Sequence, residues 1–522
     1  MILSDRELCD LELLLCGAFN PLFGFMTEVD YKSVLDNMTL SSGEIFPLPI
    51  VLRTKNKPTT NVIELRDKYY YHVANLNIID VYKPDLEYEC KKAYGTTDTN
   101  HPFVKDIMEY GECYYLGGNI EQVNKITHFD FQTLRLTPNQ TKAEFKKRNW
   151  KSIVGFQTRN PMHRSHYELT KLALKEVDGI LIHPVVGISQ ECDIDYYTRV
   201  KCYQSIIPHY NNNALLSLLP LSMRMAGPRE AVLHAIIRKN YGCTHFIIGR
   251  DHAGPSYKSK SGVKFYGDYE AQKLLLSVSD KIGINILTFP FIVYVNELNK
   301  YMKLTEVPKN LTICNLSGTE LRKLLTTNKQ IPNWYSFPSV IEILKKKYKK
   351  YGLCIYCYGL SGSGKSTLIH ALNEKLLELG KITTILDGDV VRNNLSKKLG
   401  FSKEDRSLNV RRIGYVSSEI VKHGGICLVA NIAPYIKDRI YNRNLISKNG
   451  NYIEIFLNTS LEICEQRDIK GLYKLAREGK IKEFTGISDI FDISTNSELI
   501  LDGNNNITNN INTIMNYIKY LL

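Results

Sequence analysis

A glycine-rich segment in the last third of the chain has the residue types of a phosphate-binding loop. The segment Gly359-Leu-Ser-Gly-Ser-Gly364-Lys365-Ser366 matches the pattern G-x-x-x-x-G-K-[ST], between an apolar run and a helical pattern. Backbone N–H groups and the helix N-terminus surround phosphate oxygens in such loops, the lysine reaches the β- and γ-phosphates, and the hydroxyl ligates Mg²⁺. A plain glycine turn is the alternative, and the complete pattern disfavours it. The predicted nucleotide-binding residues are Gly359, Leu360, Ser361, Gly362, Ser363, Gly364, Lys365, Ser366 and Thr367.

Carboxylates and arginines follow this loop. The next predicted strand ends in Leu386-Asp-Gly-Asp389, and a carboxylate at the end of a parallel strand faces the ligand crevice. There Asp389 would assist a metal ion or accept a proton. Arg392, Phe401 and Arg406 then combine positive charge with an aromatic ring, which suits a second anionic ligand that carries a base. An exposed charged helix has the same spacing and remains an alternative.

A second polar cluster follows the apolar run SIVGF. The stretch Gln157-Thr-Arg-Asn-Pro-Met-His163-Arg-Ser-His166 opens a predicted helix, because its Asn-Pro step favours extended backbone and proline suits a first helical turn. His163 and His166 would then share one helix face. Imidazole N–H donors at a helix N-terminus suit phosphate charge, and Gln157 and Arg159 suit a small oxyanion. From spacing alone, two packed or surface histidines are the more common explanation.

Two further segments add charge near this cluster. Met223-Arg-Met-Ala-Gly-Pro-Arg229 brings two arginines next to a Gly-Pro turn. Gly249-Arg-Asp-His-Ala-Gly-Pro255 follows another apolar run, where a loop faces a ligand crevice. Ser317 is expected to cap a later helix. These surroundings favour a functional interpretation of the histidine pair.

The elements that would position these residues alternate between strands and helices. From about residue 150, apolar runs such as SIVGF and THFIIG alternate with helical stretches, and a second alternation starts at residue 352 with LCIYCYG. This order predicts parallel α/β sheets. The first part of the chain mixes short strand-like runs with turn signals, which predicts a β-rich domain. We therefore predict an α/β multidomain chain divided into residues 1–140, 141–325, 326–350 (a closing segment and linker) and 351–522.

Composition excludes several classes of protein. The 522 residues are 43% hydrophobic and 23% charged, which fits neither a disordered nor a collagen-like chain. The chain has no apolar run long enough for a membrane helix, and its acidic N-terminal stretch does not fit a secretory or transit peptide, so we expect a cytoplasmic protein without a membrane partner. The net charge of +13 suits anionic ligands, although a lysine-rich composition explains it equally well.

The cysteines predict neither a disulfide framework nor a zinc site. The twelve residues are scattered, and Cys354-x-x-Cys357 lies in an apolar run without a second ligand pair. We therefore expect reduced thiols, a buried strand at Cys354 to Cys357, and no structural metal.

The C-terminal segment resembles the adenylylsulfate kinase family over about residues 352–522. The resemblance is carried by the glycine loop, Asp387 to Arg392, Gly400 to Arg412, Lys470-Gly-Leu-Tyr473 and Phe484-Thr-Gly486. It implies a P-loop kinase fold, Mg²⁺ at Ser366 and Asp389, and a lid from Lys470 to Phe484. Ala433 stands where many members carry a serine, which removes a phosphoserine but not direct transfer from ATP. The resemblance implies that adenylylsulfate is held by Arg392, Asn394, Phe401, Arg406, Asn409 and Lys470.

The rest of the chain resembles the ATP sulfurylase family over about residues 3–345. The signatures QTRNPxHxxH, MRxAGPREA, GRDHAGP and SGTxLR are intact, and Gly17–Met26 resembles the N-terminal domain of that family. This implies a PUA-like first domain and a Rossmann-like nucleotidyltransferase domain. It also implies that His163 and His166 stabilise the pyrophosphate and that Arg224, on a mobile loop, neutralises the α-phosphate. Sulfate and ATP would be held by Gln157, Thr158, Arg159, Asn160, Gly249, Arg250, Asp251 and Ala253.

Together the resemblances imply a sulfate-activating enzyme. ATP and sulfate would give adenylylsulfate and pyrophosphate, and a second ATP, with Mg²⁺, would phosphorylate adenylylsulfate to 3′-phosphoadenylylsulfate. A kinase-like region that only binds 3′-phosphoadenylylsulfate as an allosteric module is the alternative, against which the complete glycine loop argues. A sulfurylase working in reverse would compete with the kinase for adenylylsulfate. We expect no nucleic-acid partner, because no basic aromatic surface is evident, and a homo-oligomer, because both families usually assemble.

Overall fold

The computed structural model describes residues 1–128, 130–190, 193–289, 291–327, 329–348, 352–468, 471–493 and 496–522, without the side chains of residues 319 and 348. The chain divides into two compact units, Met1–Tyr348 and Lys349–Leu522. Within the described ranges, no helix combines the length and apolar character needed to cross a membrane.

The first unit begins with a β-rich domain whose strands form an antiparallel sheet in the order β1-β5-β4-β3, with β2 also paired to β5. Ser4 starts the first helix with a capping box. The elements are α1 (Asp5–Leu15), β1 (Gly24–Phe25), α2 (Glu28–Asn37), β2 (Leu52–Thr54), β3 (Val62–Arg66), β4 (His72–Tyr82), α3 (Leu86–Tyr94), α4 (Pro102–Tyr110) and β5 (Tyr114–Gln122).

A parallel sheet in the order β10-β9-β6-β7-β8 follows in the same unit. Its central strands are buried throughout, as expected where helices cover both faces. The strand order reverses between β6 and β9, so the loops after these strands flank one crevice. The elements are α5 (Pro138–Lys147), β6 (Ile153–Phe156), α6 (Arg164–Ala173), β7 (Gly179–Ile182), α7 (Tyr196–Ile206), β8 (Ala214–Leu216), α8 (Pro228–Asn240), β9 (His245–Ile248), α9 (Glu270–Ile282) and β10 (Asn285–Thr288).

A small antiparallel sheet and two helices close the first unit. The strands β11 (Ile292–Val295), β12 (Lys300–Lys303) and β13 (Ile313–Cys314) pair in the order β12-β11-β13. Helices α10 (Gly318–Thr326) and α11 (Pro338–Tyr348) follow. Ser317 caps α10 with a capping box, which confirms the predicted helix start.

The second unit is a parallel sheet in the order β15-β16-β14-β17-β18, flanked by helices. Cys354 and Cys357 are free thiols in its fully buried strand β14, as predicted. The predicted α/β multidomain fold class is confirmed. The elements are β14 (Leu353–Tyr358), α12 (Lys365–Glu378), β15 (Thr383–Asp387), α13 (Gly388–Asn394), α14 (Lys403–Lys422), β16 (Ile426–Asn431), α15 (Ile436–Ser447), β17 (Asn451–Asn458), α16 (Leu461–Arg467), α17 (Leu472–Arg477), β18 (Leu499–Asp502) and α18 (Ile507–Ile518).

Candidate active sites

The loop after β6, Gln157–Asn160, is held from behind by helix α7. The Tyr203 hydroxyl donates to the carbonyl oxygens of Thr158 and Asn160 at 3.2 and 2.6 Å. The Arg199 guanidinium donates to the carbonyl oxygen of Arg159, between these two residues, at 3.0 Å. Tyr203 and Arg199 are both buried. These bonds give the loop a defined shape at the point where the strand order reverses.

The guanidinium of Arg159 joins three segments of the first unit. Its Nη2 donates to the carbonyl oxygen of Gly254 at 3.2 Å and to Oγ of Ser256 at 3.0 Å. Its Nη1 contacts Sδ of Met225 at 3.4 Å, and a carboxylate oxygen of Asp193 lies 3.7 Å from Nη1. Because a thioether is a weak acceptor, Nη1 retains most of its capacity to bind an oxyanion.

His163 and His166 stack with ring centroids 3.9 Å apart. The expectation that both lie on the helix is wrong for His163, which is the N-cap of α6 in extended backbone (φ −123°, ψ 175°). The helix begins one residue later, at Arg164, whose N–H donates to the carbonyl oxygen of Tyr335 at 3.1 Å. The Oγ of Ser165 lies 2.7 Å from Nδ1 of His163 and holds that ring.

Burial favours the uncharged form of both imidazoles. Burial lowers the pKa of His166 to about 4, and burial together with the neighbouring His166 lowers the pKa of His163 well below its usual value. The Nδ1 atom of His166 is buried, and no polar atom of the described residues lies within hydrogen-bond distance of it. Such an atom suits a phosphate oxygen that arrives with a ligand.

The loop after β9 carries the predicted nucleotide-pocket residues Gly249, Arg250, Asp251 and Ala253. Ala253 has the left-handed φ of +56°, and its carbonyl oxygen accepts the N–H of Gly227 at 3.2 Å. Asp251 accepts a hydrogen bond from Lys264 at 3.1 Å. Gly249, Arg250 and Asp251 are exposed at the end of the strand, so this loop presents its tip to solvent.

A buried chain of polar side chains lies behind this loop. Nε2 of His252 lies 2.9 Å from Nδ1 of His234, and Nε2 of His234 lies 3.7 Å from the Glu230 carboxylate. That carboxylate also accepts the N–H groups of Arg224 and Ala226 at 2.8 and 3.0 Å. Burial raises the pKa of Glu230, but His234 and the Arg224 N–H outweigh it and lower the pKa overall. The i, i+4 spacing of Glu230 and His234 is the sequence signal that could have revealed this chain.

Arg224 is turned away from the loops after β6 and β9, so the predicted contact with the α-phosphate would require this side chain to leave its present partners. Its side chain is 2% exposed, and Nη2 donates to Oδ2 of Asp10 in α1 at 2.7 Å. Met223 and Met225 on either side face the opposite way, and the Met223 sulfur lies 3.9 Å from Nε2 of Gln157. The arginine therefore contacts α1 on one side of the segment, and the methionines contact Gln157 and Arg159 on the other.

The glycine loop of the second unit lies between β14 and α12. Gly362 and Gly364 have φ of +73° and +101°, which only glycine adopts freely. Nζ of Lys365 donates to the carbonyl oxygen of Leu360 at 2.6 Å and to Oγ of Ser363 at 3.3 Å. Burial lowers the pKa of this ammonium group. The Lys365 ammonium group therefore bonds its own loop. A bound phosphate would replace the Leu360 carbonyl and the Ser363 hydroxyl as its partners.

The Ser366 hydroxyl, next to this lysine, bonds the carboxylate of Asp387, which was not among the predicted site residues. Oγ of Ser366 donates to Oδ2 of Asp387 at 2.5 Å, and Oδ1 of Asp387 accepts the N–H of Asp389 at 3.0 Å. The Asp-Gly-Asp pattern contained this residue, but a turn-forming aspartate explained it equally well. Hydroxyl and carboxylate oxygens are the ligands Mg²⁺ prefers, so Ser366, Asp387 and Asp389 fit that ion. This site has only two carboxylates, and the described residues contain no group of three or more His, Cys, Asp or Glu side chains arranged for a metal.

A cavity of about 720 Å³ joins the glycine loop, Asp387 and Asp389 to most of the residues predicted to hold adenylylsulfate. The Asn394 amide does not line it and instead donates to the carbonyl oxygen of Val390 at 2.8 Å, because both lie one turn apart in α13. Lys470 lies outside the described residues. The predicted residues that line the cavity are Arg392, Phe401, Arg406 and Asn409.

At the end of the cavity assigned to adenylylsulfate, the ring of Phe401 is exposed and Arg406 is paired with Asp489. The Phe401 ring is 69% exposed, and the Arg392 guanidinium lies 4.5 Å from its centroid. Arg406 contacts residues that follow the predicted lid, with Nη1 donating to Oγ1 of Thr485 at 2.8 Å and Nη2 lying 2.8 Å from the Asp489 carboxylate. Phe401 is thus open to a stacking base, whereas Arg406 must exchange protein partners to bind an anion.

Three protein-family models match successive parts of the chain. The PUA-like domain model matches residues 1–125, the ATP-sulfurylase model matches residues 132–347 and the adenylylsulphate kinase model matches residues 351–502.

Relatives match this chain over its whole length. A sulfate adenylyltransferase of Chaetomium globosum is 43% identical over 100% of this chain and 93% of its own length, and one of Yarrowia lipolytica is 42% identical with the same coverage. A solved structure described as a hexameric APS kinase from Thiobacillus denitrificans matches with a TM-score of 0.74 and 30% identity, over 100% of this chain and 93% of that one. The chain therefore belongs to the sulfate adenylyltransferase family and carries an adenylylsulfate kinase domain behind its sulfurylase domain.

Proposed function

We propose that this chain activates sulfate in two consecutive steps at two sites of its own. The first unit makes adenylylsulfate and pyrophosphate from ATP and sulfate. The second transfers the γ-phosphoryl group of another ATP to the 3′-hydroxyl of adenylylsulfate. The observation that carries this proposal over an allosteric-only second unit is the cavity that unites Lys365, Ser366 and the two carboxylates with the residues for a second anionic ligand.

At the first site, Gln157, Arg159 and the backbone N–H of Ala253 hold sulfate, and Gly249, Arg250 and Asp251 line the nucleotide pocket. A sulfate oxygen attacks the α-phosphorus, and the bond from that phosphorus to the bridging oxygen breaks, so pyrophosphate leaves with the electron pair. His163 and His166 donate N–H groups to the β- and γ-phosphate oxygens as charge grows there. No side chain acts as nucleophile, so positioning and charge stabilisation account for the rate.

At the second site, the glycine loop and Lys365 hold the phosphates of ATP. Mg²⁺, held by Ser366, Asp387 and Asp389, would neutralise charge on the β- and γ-phosphates when bound. Asp389 accepts the proton of the 3′-hydroxyl as that oxygen attacks the γ-phosphorus, and ADP leaves. Adenylylsulfate is positioned by Arg392, Phe401, Arg406 and Asn409.

The two reactions support each other. Adenylylsulfate is a reactive mixed anhydride, so its formation is expected to be uphill, and a kinase that consumes it draws the first reaction forward. We also propose that the chain forms a homo-oligomer, because the solved relative is described as hexameric. Light scattering on the purified protein measures this directly.

One assay tests the kinase half of the proposal. The purified chain is given adenylylsulfate, γ-labelled ATP and Mg²⁺, and the products are separated. We expect label in 3′-phosphoadenylylsulfate. No label, together with tight binding of 3′-phosphoadenylylsulfate and altered sulfurylase kinetics, would instead indicate an allosteric module. Pyrophosphate release from ATP in the presence of sulfate tests the first half.

A further inference from the structure

The segment from Ser222 to Ala226 contacts the proposed sulfate-holding side chains with one face and the β-rich domain with the other. The sulfur of Met223 lies 3.9 Å from the Gln157 amide, and the sulfur of Met225 lies 3.4 Å from Nη1 of Arg159. These contacts place both methionines beside the two side chains assigned to sulfate.

The opposite face of the segment is anchored in the β-rich domain. Nη2 of Arg224 donates to Asp10 at 2.7 Å, and both side chains are almost fully buried. The Arg224 guanidinium also bonds the carbonyl oxygen of Ser222 at 3.2 Å, which ties the side chain to its own backbone. His101, from the same domain, lies with Nε2 at 3.0 Å from the carbonyl oxygen of Met225. The position of the methionines is therefore set by partners far away in sequence.

The backbone at Met225 is held in a conformation it would not adopt alone. Its φ is +56°, in the left-handed region that non-glycine residues rarely occupy. The Glu230 carboxylate accepts the N–H groups on both sides, from Arg224 and Ala226. Strained backbone of this kind persists only where the surroundings over-determine it, and it clusters at functional sites.

We propose that Arg224 is a positioning residue: anchored on Asp10, it sets the Met223 and Met225 thioethers against Gln157 and Arg159, so that the β-rich domain determines the affinity of the first site for sulfate. The thioether suits this role because it is a soft, weak acceptor. It contacts the guanidinium edge without adding charge to it, whereas the Asp193 carboxylate near the same nitrogen lies farther away, at 3.7 Å. This inference rests on the proposed sulfate site.

The first test removes the anchor without touching the site. Asp10→Asn keeps the shape but deletes the charge that Arg224 requires. We expect the KM for sulfate to rise about tenfold, with the KM for ATP and kcat at saturating sulfate within about twofold, because small displacements of positioning groups are costly. Mere loss of folded protein would lower the apparent kcat and leave both KM values unchanged. Asp5→Asn, the same substitution at an exposed position of α1, is the matched control.

A second variant decides the matter should Asp10→Asn fail to fold. Met225→Leu roughly conserves volume, leaves the Asp10–Arg224 pair intact and replaces the thioether by a branched hydrocarbon. We expect it to raise the KM for sulfate about threefold or more, since the Arg159 edge loses its partner. A folded Asp10→Asn with a wild-type KM for sulfate would overturn the proposal, as would a wild-type KM in Met225→Leu when Asp10→Asn does not fold.

Arg159→Lys separates this inference from the proposed sulfate site. A raised KM for sulfate in that variant, with an unchanged KM in folded Asp10→Asn, rejects the positioning role alone. An unchanged KM in Arg159→Lys rejects the sulfate site itself. Kinase turnover of the same preparations, measured with adenylylsulfate, reports on the concentration of intact chain.

Discussion

The two candidate sites solve the problem of binding phosphate and sulfate groups in different ways. In the second unit, loops at the ends of parallel strands open into one cavity, and backbone groups with one lysine form the phosphate cradle. In the first unit, the loops after β6 and β9 are held by buried side chains behind them: Arg199 and Tyr203 bond the loop after β6, and His234 bonds His252 in the loop after β9. A motif residue in the second unit therefore tends to face the ligand, whereas one in the first unit either faces the ligand or supports the loop.

The reason for this difference is the conformation of the loops. A glycine loop reaches left-handed backbone through glycine itself, at Gly362 and Gly364. The first site has alanine and methionine in that region, Ala253 and Met225, and must hold them there with hydrogen bonds from neighbouring segments. The first site therefore requires supporting side chains that hold its backbone in this conformation.

The largest expected effect breaks one site and spares the other. Lys365→Ala should lower the kinase rate by about 10³-fold or more, because the only ammonium in the glycine loop stabilises the transferring phosphoryl group. Sulfurylase activity should stay within about twofold. Label transfer from γ-labelled ATP and pyrophosphate release measure the two rates on one preparation. Loss of both would contradict separate sites.

The reciprocal change is in the first unit. His166→Ala should lower the sulfurylase rate about 10²- to 10³-fold, the size expected for one lost donor to a developing charge, and leave the kinase rate unchanged. His209→Ala, an exposed histidine of the same unit, is the control. A normal sulfurylase rate in His166→Ala would remove this imidazole from the site.

Acid should distinguish the two units by stability. Every histidine whose pKa is lowered among the described groups lies in the first unit, and burial lowers the pKa of His101 to about 4. Such a group is protonated more readily in the unfolded chain, so its contribution is complete above pH 6.5 and is lost as pH falls from 6.5 towards 4. At pH 5 the loss of folding free energy is about 2 kcal/mol for His101 alone. Calorimetry at pH 7 and pH 5 should show a larger drop in Tm for the first unit; equal shifts would contradict this. The histidines concerned are His101, His163, His166, His183, His234 and His252.

The smallest effects sharpen the account of the second site. Phe401→Ala should raise the KM for adenylylsulfate about tenfold, the value of one lost base stack. Asn394→Ala should change it by less than about twofold, because that amide bonds within α13. Tyr415→Ala, an exposed aromatic residue of α14 outside the cavity, is the control for Phe401. Equal effects at Phe401 and Asn394 would mean that α13 rearranges when ligand binds.

Much of the fold was predictable because its signals are local. Alternating buried strands and helices predict the parallel sheets, and Ser317 predicts the start of α10 from its own side chain. The start of α6 was not predicted: the Asn-Pro step and the histidine spacing put His163 on the helix, whereas the structure has it in extended backbone before Arg164. Asp387 was visible in its motif but not distinguishable from a turn residue until Ser366 was seen to bond it.

What the sequence by itself determined is the chemistry that each unit has available. The glycine loop, the histidine pair and the domain order follow from residue types at short spacing, where covalent geometry limits the possible arrangements. Only the tertiary structure decided which motif residues face the ligand. Arg224 and Asp10 are 214 residues apart, and burying a guanidinium requires such a partner, so the pairing that turns the arginine away from the site exists only once the chain has folded.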